Sequence, residues 1–199
     1  MIAILDYGIG NLKSIYNMFK KVGVESLITS DIEEIKKANK YLLPGVGSFD
    51  HGINSLKNAP FFETLEKEVL ENKKPILGIC LGMQLLTNSS EEGKEKGLGW
   101  IDAQTIKFDL EDKSLSIPHM GWNKTNPTNT NDVFKNLEDN RFYFVHSYYV
   151  VCNNEKNILA TANYGQTFTC SIYKDNIYGV QFHPEKSHKF GMQLLKNFG

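Results

Sequence analysis

The 199-residue sequence has no unbroken apolar run approaching the ~18 residues that a membrane-crossing helix needs. Its beginning does not join a basic segment to a hydrophobic signal core either. A soluble, cytoplasmic protein with no membrane association is therefore expected. An excess of one charge is also lacking, since 22 Lys and Arg stand against 23 Asp and Glu. A phosphate backbone would call for a basic surplus, so no nucleic-acid partner is expected. Cysteine is scarce, limited to Cys80, Cys152 and Cys170. These show no short paired spacing for zinc, and an odd number argues against a complete disulfide framework. At least one thiol should be free. His51, His119, His146 and His188 lack metal-binding spacing with carboxylates or cysteines, so no metal is expected. No internal repeat is found.

What is present is enough chain for one well-buried core, which predicts a single domain over residues 1–199. The first half alternates short apolar runs with longer amphipathic ones, as parallel strands joined by crossover helices do. Residues 1–5, 24–28, 41–43 and 75–79 read as strands, and 12–21, 61–72 and 81–86 as helices. The charged run 89–97 reads as an exposed loop whose charges mark a solvated surface. Beyond Trp100, segments 101–108, 142–151, 158–162, 168–173 and 177–182 are rich in aromatic and β-branched residues and are separated by turn residues. Antiparallel pairing is expected there, before a last helix near 189–197. The asparagine-rich segment 123–131 reads as a surface loop. The resulting architecture is α/β: a mainly parallel central sheet flanked by helices, with an antiparallel extension.

The sharpest local signal is Gly78-Ile79-Cys80-Leu81-Gly82, where a strand runs straight into a helix. This is a nucleophile elbow with sulfur in place of the usual serine oxygen. Neighbouring backbone passes close to such a turn, and Gly78 and Gly82 have no β-carbon to clash. The helix beginning near Leu81 points free N–H groups at the sulfur, which favours a reactive thiol, and the Leu81 N–H can bind a developing oxyanion. A lone cysteine is more often simply buried; the glycine frame reverses that weighting. A nucleophile needs a base, and His183-Pro184-Glu185 follows a late strand. In an extended segment residues two apart share a side, so Glu185 can orient the His183 ring toward Cys80. Pro44-Gly45-Val46-Gly47 is a second glycine-rich strand end, and its Val46 and Gly47 backbone can supply the other oxyanion donor. It lacks the Gly-Lys-Ser/Thr of a nucleotide-binding loop. Asp6-Tyr7-Gly8-Ile9-Gly10-Asn11-Leu12-Lys13 lacks the third glycine of a dinucleotide fingerprint, so it reads as a tight strand-to-helix turn.

The elbow, the Pro-Gly-Val-Gly loop and the late His-Pro-Glu together resemble class I, triad-type glutamine amidotransferases, in order and in separation, over most of the chain. Within that family the segments Asp6–Leu12, Pro118-His119-Met120-Gly121-Trp122-Asn123 and Phe144-Val145-His146-Ser147-Tyr148-Tyr149 are similar to those of the glutaminase subunits of imidazole glycerol phosphate synthases. The resemblance implies a flavodoxin-like fold, a triad of Cys80, His183 and Glu185, and no cofactor. It also implies an L-glutamine pocket using Gly47, Gln84, Ser147 and Tyr148; Ser147 stands where related sequences commonly carry Thr. Glutamine would be hydrolysed through a cysteine thioester, and the ammonia passed to a (β/α)8-barrel cyclase subunit in a heterodimer. A chain of this length leaves no room for an acceptor-substrate domain, which fits a separate partner. Asn11, Ser14, Trp122 and Tyr143 are the candidates for facing it. Two alternatives stay open at this point: a paralogue that supplies ammonia for amination of a sugar nucleotide, and a non-catalytic binding module on the same fold. A cysteine peptidase built on a similar elbow is a third.

Overall fold

The computed structural model describes residues 1–128, 132–137 and 139–199. The chain alternates through β1 (Ile2–Leu5), α1 (Leu12–Lys21), β2 (Ser26–Thr29), α2 (Ile32–Lys37), β3 (Lys40–Leu43), α3 (Phe49–Lys57), α4 (Phe62–Leu70), β4 (Ile76–Ile79) and α5 (Leu81–Leu85). It continues through β5 (Ser89–Ser90), β6 (Ala103–Lys107), β7 (His119–Pro127), β8 (Arg141–His146), β9 (Tyr148–Cys152), β10 (Ile158–Tyr164), β11 (Gln166–Lys174) and β12 (Ile177–Val180), and closes with α6 (His188–Phe198).

The strands lie in the order β2-β1-β3-β4-β12-β11-β10-β7-β8. The first five run parallel, and the antiparallel part begins where β11 pairs with β12. A side arm leaves the main path, with β9 pairing both β11 and β6, and β6 pairing β5. Alternation along β1 explains why both faces need helices. Ile2 and Ile4 face a core with Ile15 and Phe19 of α1 and Leu194, Leu195 and Phe198 of α6. Ala3 and Leu5 face the opposite core with Ile35 of α2, Ile53 and Leu56 of α3, and Leu65 and Val69 of α4. Each of the larger aliphatic side chains so enclosed stabilises the fold by about 1.5–3 kcal/mol.

Helix α1 shows how local sequence sets an element. The Asn11 side chain accepts from the Ser14 N–H at 3.4 Å and caps the first turn, while Lys20 and Lys21 lie in the last, where the helix dipole favours cations. Ile15 and Phe19, four apart, make its buried stripe.

Two expectations are corrected by the fold. Residues Asn123 to Pro127 are not loop but the second half of β7, paired with β8 and β10. Asparagine has little preference for strands, but two neighbouring ladders override it, and Thr125 is buried between them. Positions 129–131 of that expected loop lie outside the described residues. The single strand expected over 142–151 is two strands, broken at Ser147, with β8 pairing β7 and β9 pairing β6 and β11. The charged run after Asn88 is exposed at Glu91, Glu92 and Lys94–Lys96, as expected, and is also pinned: Glu91 accepts from the Lys107 N–H at 2.7 Å, and Asp50 accepts from the Lys94 and Glu95 N–H groups at 3.0 Å.

Candidate active site

Strand β4 delivers Cys80 in a strained backbone conformation, with φ at +54° and ψ at −111°. Such a conformation costs on the order of 1–3 kcal/mol and persists only where its surroundings enforce it. Here the Cys80 N–H donates to the Val180 carbonyl at 2.8 Å, and the Met83 and Gln84 N–H groups donate to the Cys80 carbonyl at 3.1 and 3.2 Å. The glycines on either side let the turn close. A β-carbon on Gly78 would lie 2.6 Å from the Gly82 oxygen and 2.8 Å from the Met83 nitrogen, and one on Gly82 would strike the Leu43 carbonyl. The clash inferred from sequence is therefore real, and it is with backbone, which cannot swing aside. Helix α5 has only five residues, so its contribution at the sulfur comes from its first N–H groups rather than from a long dipole.

The base comes from the neighbouring strand. Register pairs Gly179 with Gly78 and Val180 with Ile79, so the chain leaving β12 runs beside the elbow. The His183 N–H donates to the Tyr143 carbonyl at 2.9 Å, and Pro184–Lys186 then forms a 3-10 turn. This turn, rather than an extended segment, brings Glu185 back under the ring: its Oε1 lies 2.8 Å from His183 Nδ1, with both side chains only 3% exposed. Burial alone would lower the His183 pKa, but hydrogen bonds to Cys80 and Glu185 outweigh it and push it up to about 10. The imidazole is therefore built to hold a proton at neutral pH, between an acceptor carboxylate and the sulfur.

These groups open onto a cavity of about 350 Å³. Val46, Gly47, Cys80, Leu81, Gln84, Ser147, Tyr148 and His183 all line it, and Glu185 stands behind the histidine. Gly47 sits in the left-handed region at φ +99°, which turns the loop toward the cavity. Asn11, Ser14, Trp122 and Tyr143 do not line the cavity. Trp122 is 46% exposed, stacks on His188 at 5.7 Å and meets the Tyr143 ring edge-on at 6.4 Å. Lys186 lies over the Tyr143 ring, and α1, which Asn11 and Ser14 begin, packs against the Pro184–Lys186 turn. Tyr143 thus borders the turn that follows His183, Trp122 lies beside Tyr143 and His188, and Asn11 and Ser14 sit at the start of the helix that packs on that turn.

Several site residues escaped sequence reasoning. Glu92 reaches the cavity from the run read as solvated surface, and its Oε2 accepts from the Phe49 N–H at 2.9 Å. No spacing rule separates it from its charged neighbours. Gln181 donates to Cys80 Sγ at 3.6 Å and accepts from Gln84 Nε2 at 3.0 Å. Its position two residues before His183, in a strand-like run, is a signal that could have pointed to it. The Tyr7 hydroxyl donates to the Pro44 carbonyl, so the Asp6–Lys13 turn also latches the Pro-Gly-Val-Gly loop. Burial, aided by Cys80, pushes the Tyr7 hydroxyl pKa well up, which keeps it a donor. Burial, then Asp102, pushes the Cys152 thiol up to about 12, and burial raises Cys170 further, leaving Cys80 as the thiol presented to the cavity.

The chain is 59% identical to imidazole glycerol phosphate synthase subunit HisH 2 of Methanococcus maripaludis, 48% to subunit HisH 2 of Pseudomonas aeruginosa, and 50% to subunit HisH of Leptospira borgpetersenii. Each similarity covers 100% of this chain and 98% of the relative. Among solved structures, PurLQS from Thermotoga maritima superposes with a TM-score of 0.71 at 20% identity, over 99% of this chain and 94% of that one. A crystal structure of a glutamine amidotransferase gives a TM-score of 0.73 at 15% identity, over 98% of both chains. At those identities the likeness speaks for the fold alone. The family model described as glutamine amidotransferase class-I matches residues 3–199, and the chain belongs to that family.

Proposed function

We propose that this chain is the glutaminase subunit of an imidazole glycerol phosphate synthase, acting in the cytoplasm. It hydrolyses L-glutamine to glutamate and ammonia and passes the ammonia to a (β/α)8-barrel cyclase, which forms imidazole glycerol phosphate and AICAR in histidine biosynthesis. The observation that carries the reading is the meeting of Cys80, His183 and Glu185 at one cavity of amide-substrate size, in a chain 45–59% identical over its full length to relatives named as subunits of that synthase.

Chemistry follows from the geometry. Cys80 Sγ attacks the side-chain amide carbon of glutamine, and the oxyanion is held by the N–H groups of Leu81 and of the Val46–Gly47 loop. The proton that His183 already holds beside the Cys80 sulfur passes to the leaving nitrogen, so ammonia departs, the ring becomes neutral and a thioester remains on Cys80. A water then loses its proton to neutral His183 and attacks the thioester, releasing glutamate and restoring the thiol. Glu185 holds the ring tautomer and stabilises the imidazolium throughout. Gly47, Gln84, Ser147 and Tyr148 hold the amino acid, and the Glu92 carboxylate supplies negative charge for its ammonium group. Asn11, Ser14, Trp122 and Tyr143 face the cyclase, beside the turn that carries the base.

Glutamine hydrolysis measured with and without the cyclase tests this. The cyclase should stimulate it, and Cys80→Ala should abolish glutamine-dependent synthesis while ammonium-dependent synthesis by the partner survives. Equal loss of both activities, or stimulation only by a barrel protein that aminates a sugar nucleotide, would overturn the assignment.

A further inference from the structure

Two histidines outside the triad are buried beside the same cavity. His119 on β7 and His146 on β8 face each other across the ladder, 2% and 6% exposed, with His119 Nδ1 3.0 Å from His146 Nε2. His119 is clamped between the Phe144 and Tyr164 rings, at centroid distances of 4.9 and 4.1 Å. Their other nitrogens are equally committed. His146 Nδ1 lies 2.7 Å from the Tyr148 carbonyl oxygen, and His119 Nε2 lies 3.2 Å from Asn123 Nδ2.

Only one placement of protons satisfies every atom. The Tyr148 carbonyl can only accept, so His146 Nδ1 carries a proton. The Asn123 amide is fixed by its other bonds: Oδ1 accepts from the Lys124 N–H at 2.8 Å, and Nδ2 donates to the Asn163 carbonyl at 2.7 Å. Asn123 Nδ2 is thus a donor toward His119, whose Nε2 must be bare. One hydrogen lies between the two rings. Were it on His146 Nε2, His119 would be left with no proton on either nitrogen, so it sits on His119 Nδ1. Both rings are neutral, and both are Nδ1–H tautomers. Burial acts in the same sense, lowering the His119 pKa to about 4 and, chiefly by burial, that of His146 to about 3.

The chain of donors continues to the nucleophile. Gln84 Nε2 approaches the same Tyr148 carbonyl at 3.4 Å and donates to Gln181 Oε1 at 3.0 Å, and Gln181 Nε2 donates to Cys80 Sγ at 3.6 Å. We propose that His119 and His146 are positioning residues for glutamine hydrolysis: a neutral pair in one fixed tautomer arrangement that anchors the Tyr148 carbonyl and, through it, the Gln84 and Gln181 amides against Cys80. This rests on the glutaminase reading above, and its test separates the two.

In the intact protein at neutral pH, nitrogen NMR of labelled histidine should show both rings with a protonated Nδ1 and a bare Nε2. An Nε2–H tautomer or a doubly protonated ring at either position overturns the proposal. In the complex with the cyclase, His146→Leu removes the donor to Tyr148, and kcat/KM for glutamine should fall about fivefold to tenfold while ammonium-driven synthesis is unchanged. His146→Asn places an amide N–H near the lost Nδ1–H and should recover most of that fall. Equal losses in the two variants, or no loss in either, overturn the positioning role, and the NMR result stands whether or not the leucine variant folds. A wild-type protein with the expected tautomers that hydrolyses no glutamine beside its partner would refute the glutaminase reading, and with it the role assigned here, but not the proton arrangement.

Discussion

Replacing Glu185 by Gln removes a charge while keeping shape, and the structure sets the size of the effect. Glu185 Oε1 and His183 Nδ1 are 2.8 Å apart, and with each side chain only 3% exposed, water screens the pair little. A hydrogen bond to a charged group contributes about 1.5–3 kcal/mol against about 0.5–1.5 kcal/mol for a neutral one. The variant keeps an oxygen to receive the Nδ1–H, but it replaces Glu185 Oε2, buried without a hydrogen-bond partner, by an NH2 group whose two N–H donors are buried in its place. Loss of charge assistance and burial of the added N–H donors together predict a fall in glutamine-hydrolysis kcat of about tenfold to a hundredfold, with KM within about twofold of wild type. The His183 pKa, held at about 10 by Cys80 and Glu185 against burial, falls in the variant. The protonated form that releases ammonia is then lost at lower pH, so the alkaline limb of the kcat profile moves down. Steady-state hydrolysis in the complex across pH, with ammonium-driven synthesis as the control, measures both. A kcat within a factor of two of wild type, with the alkaline limb unmoved, would refute the reasoning.

Two further outcomes are expected. Gly78→Ala puts a β-carbon 2.6 to 2.8 Å from three backbone atoms of Gly82 and Met83, closer than such contacts tolerate; overpacking of this kind costs about 1–3 kcal/mol or more, so thermal unfolding should show a clear drop in Tm and glutaminase activity should fall with the displaced sulfur. Stability should peak near neutrality: His119 and His146 have folded pKa values below the unfolded ~6.5, so their contribution is present above that value and is lost as pH falls toward about 4 and about 3, whereas His183, raised to about 10, contributes below ~6.5 and loses that contribution as pH rises through about 10. Denaturant unfolding across pH that shows no loss of stability between neutrality and pH ~4.5 would contradict the buried neutral pair.

Legibility from sequence followed the reach of each interaction. The elbow was readable because its cause is local: Gly78 and Gly82 announce a backbone approach that no other residue allows. His183 and Glu185 were readable as a pair, but the route was not, since the 3-10 turn that folds Glu185 under the ring depends on Tyr143 and Ser187, which hold that segment through the His183 N–H and the His183 carbonyl. Helices α2 and α3 went unread because one has six residues and the other contains Gly52, so neither shows a long apolar period. Glu92 and the His119–His146 pair were invisible for a different reason. Their roles arise from strands brought together across the fold, and identity alone does not distinguish a glutamate at a cavity from one in solvent. Composition places Asn123 in a loop, yet it stands in β7 with its amide against the buried His119 ring.

Strands β4 and β12 are neighbours in the sheet although β5 through β11 lie between them along the chain. The strand that ends in the sulfur and the strand that leads to the base are thus adjacent in one parallel ladder, about 4.8 Å apart at the backbone, and Tyr143 of β8 then holds the His183 N–H beyond the ladder's end. Glu92, Ser147 and Tyr148, which bound the substrate side of the cavity, belong to that excursion. The same excursion therefore bounds the substrate and braces the base, so any change of its length that moved β8 would be felt at the imidazole as well as at the amide.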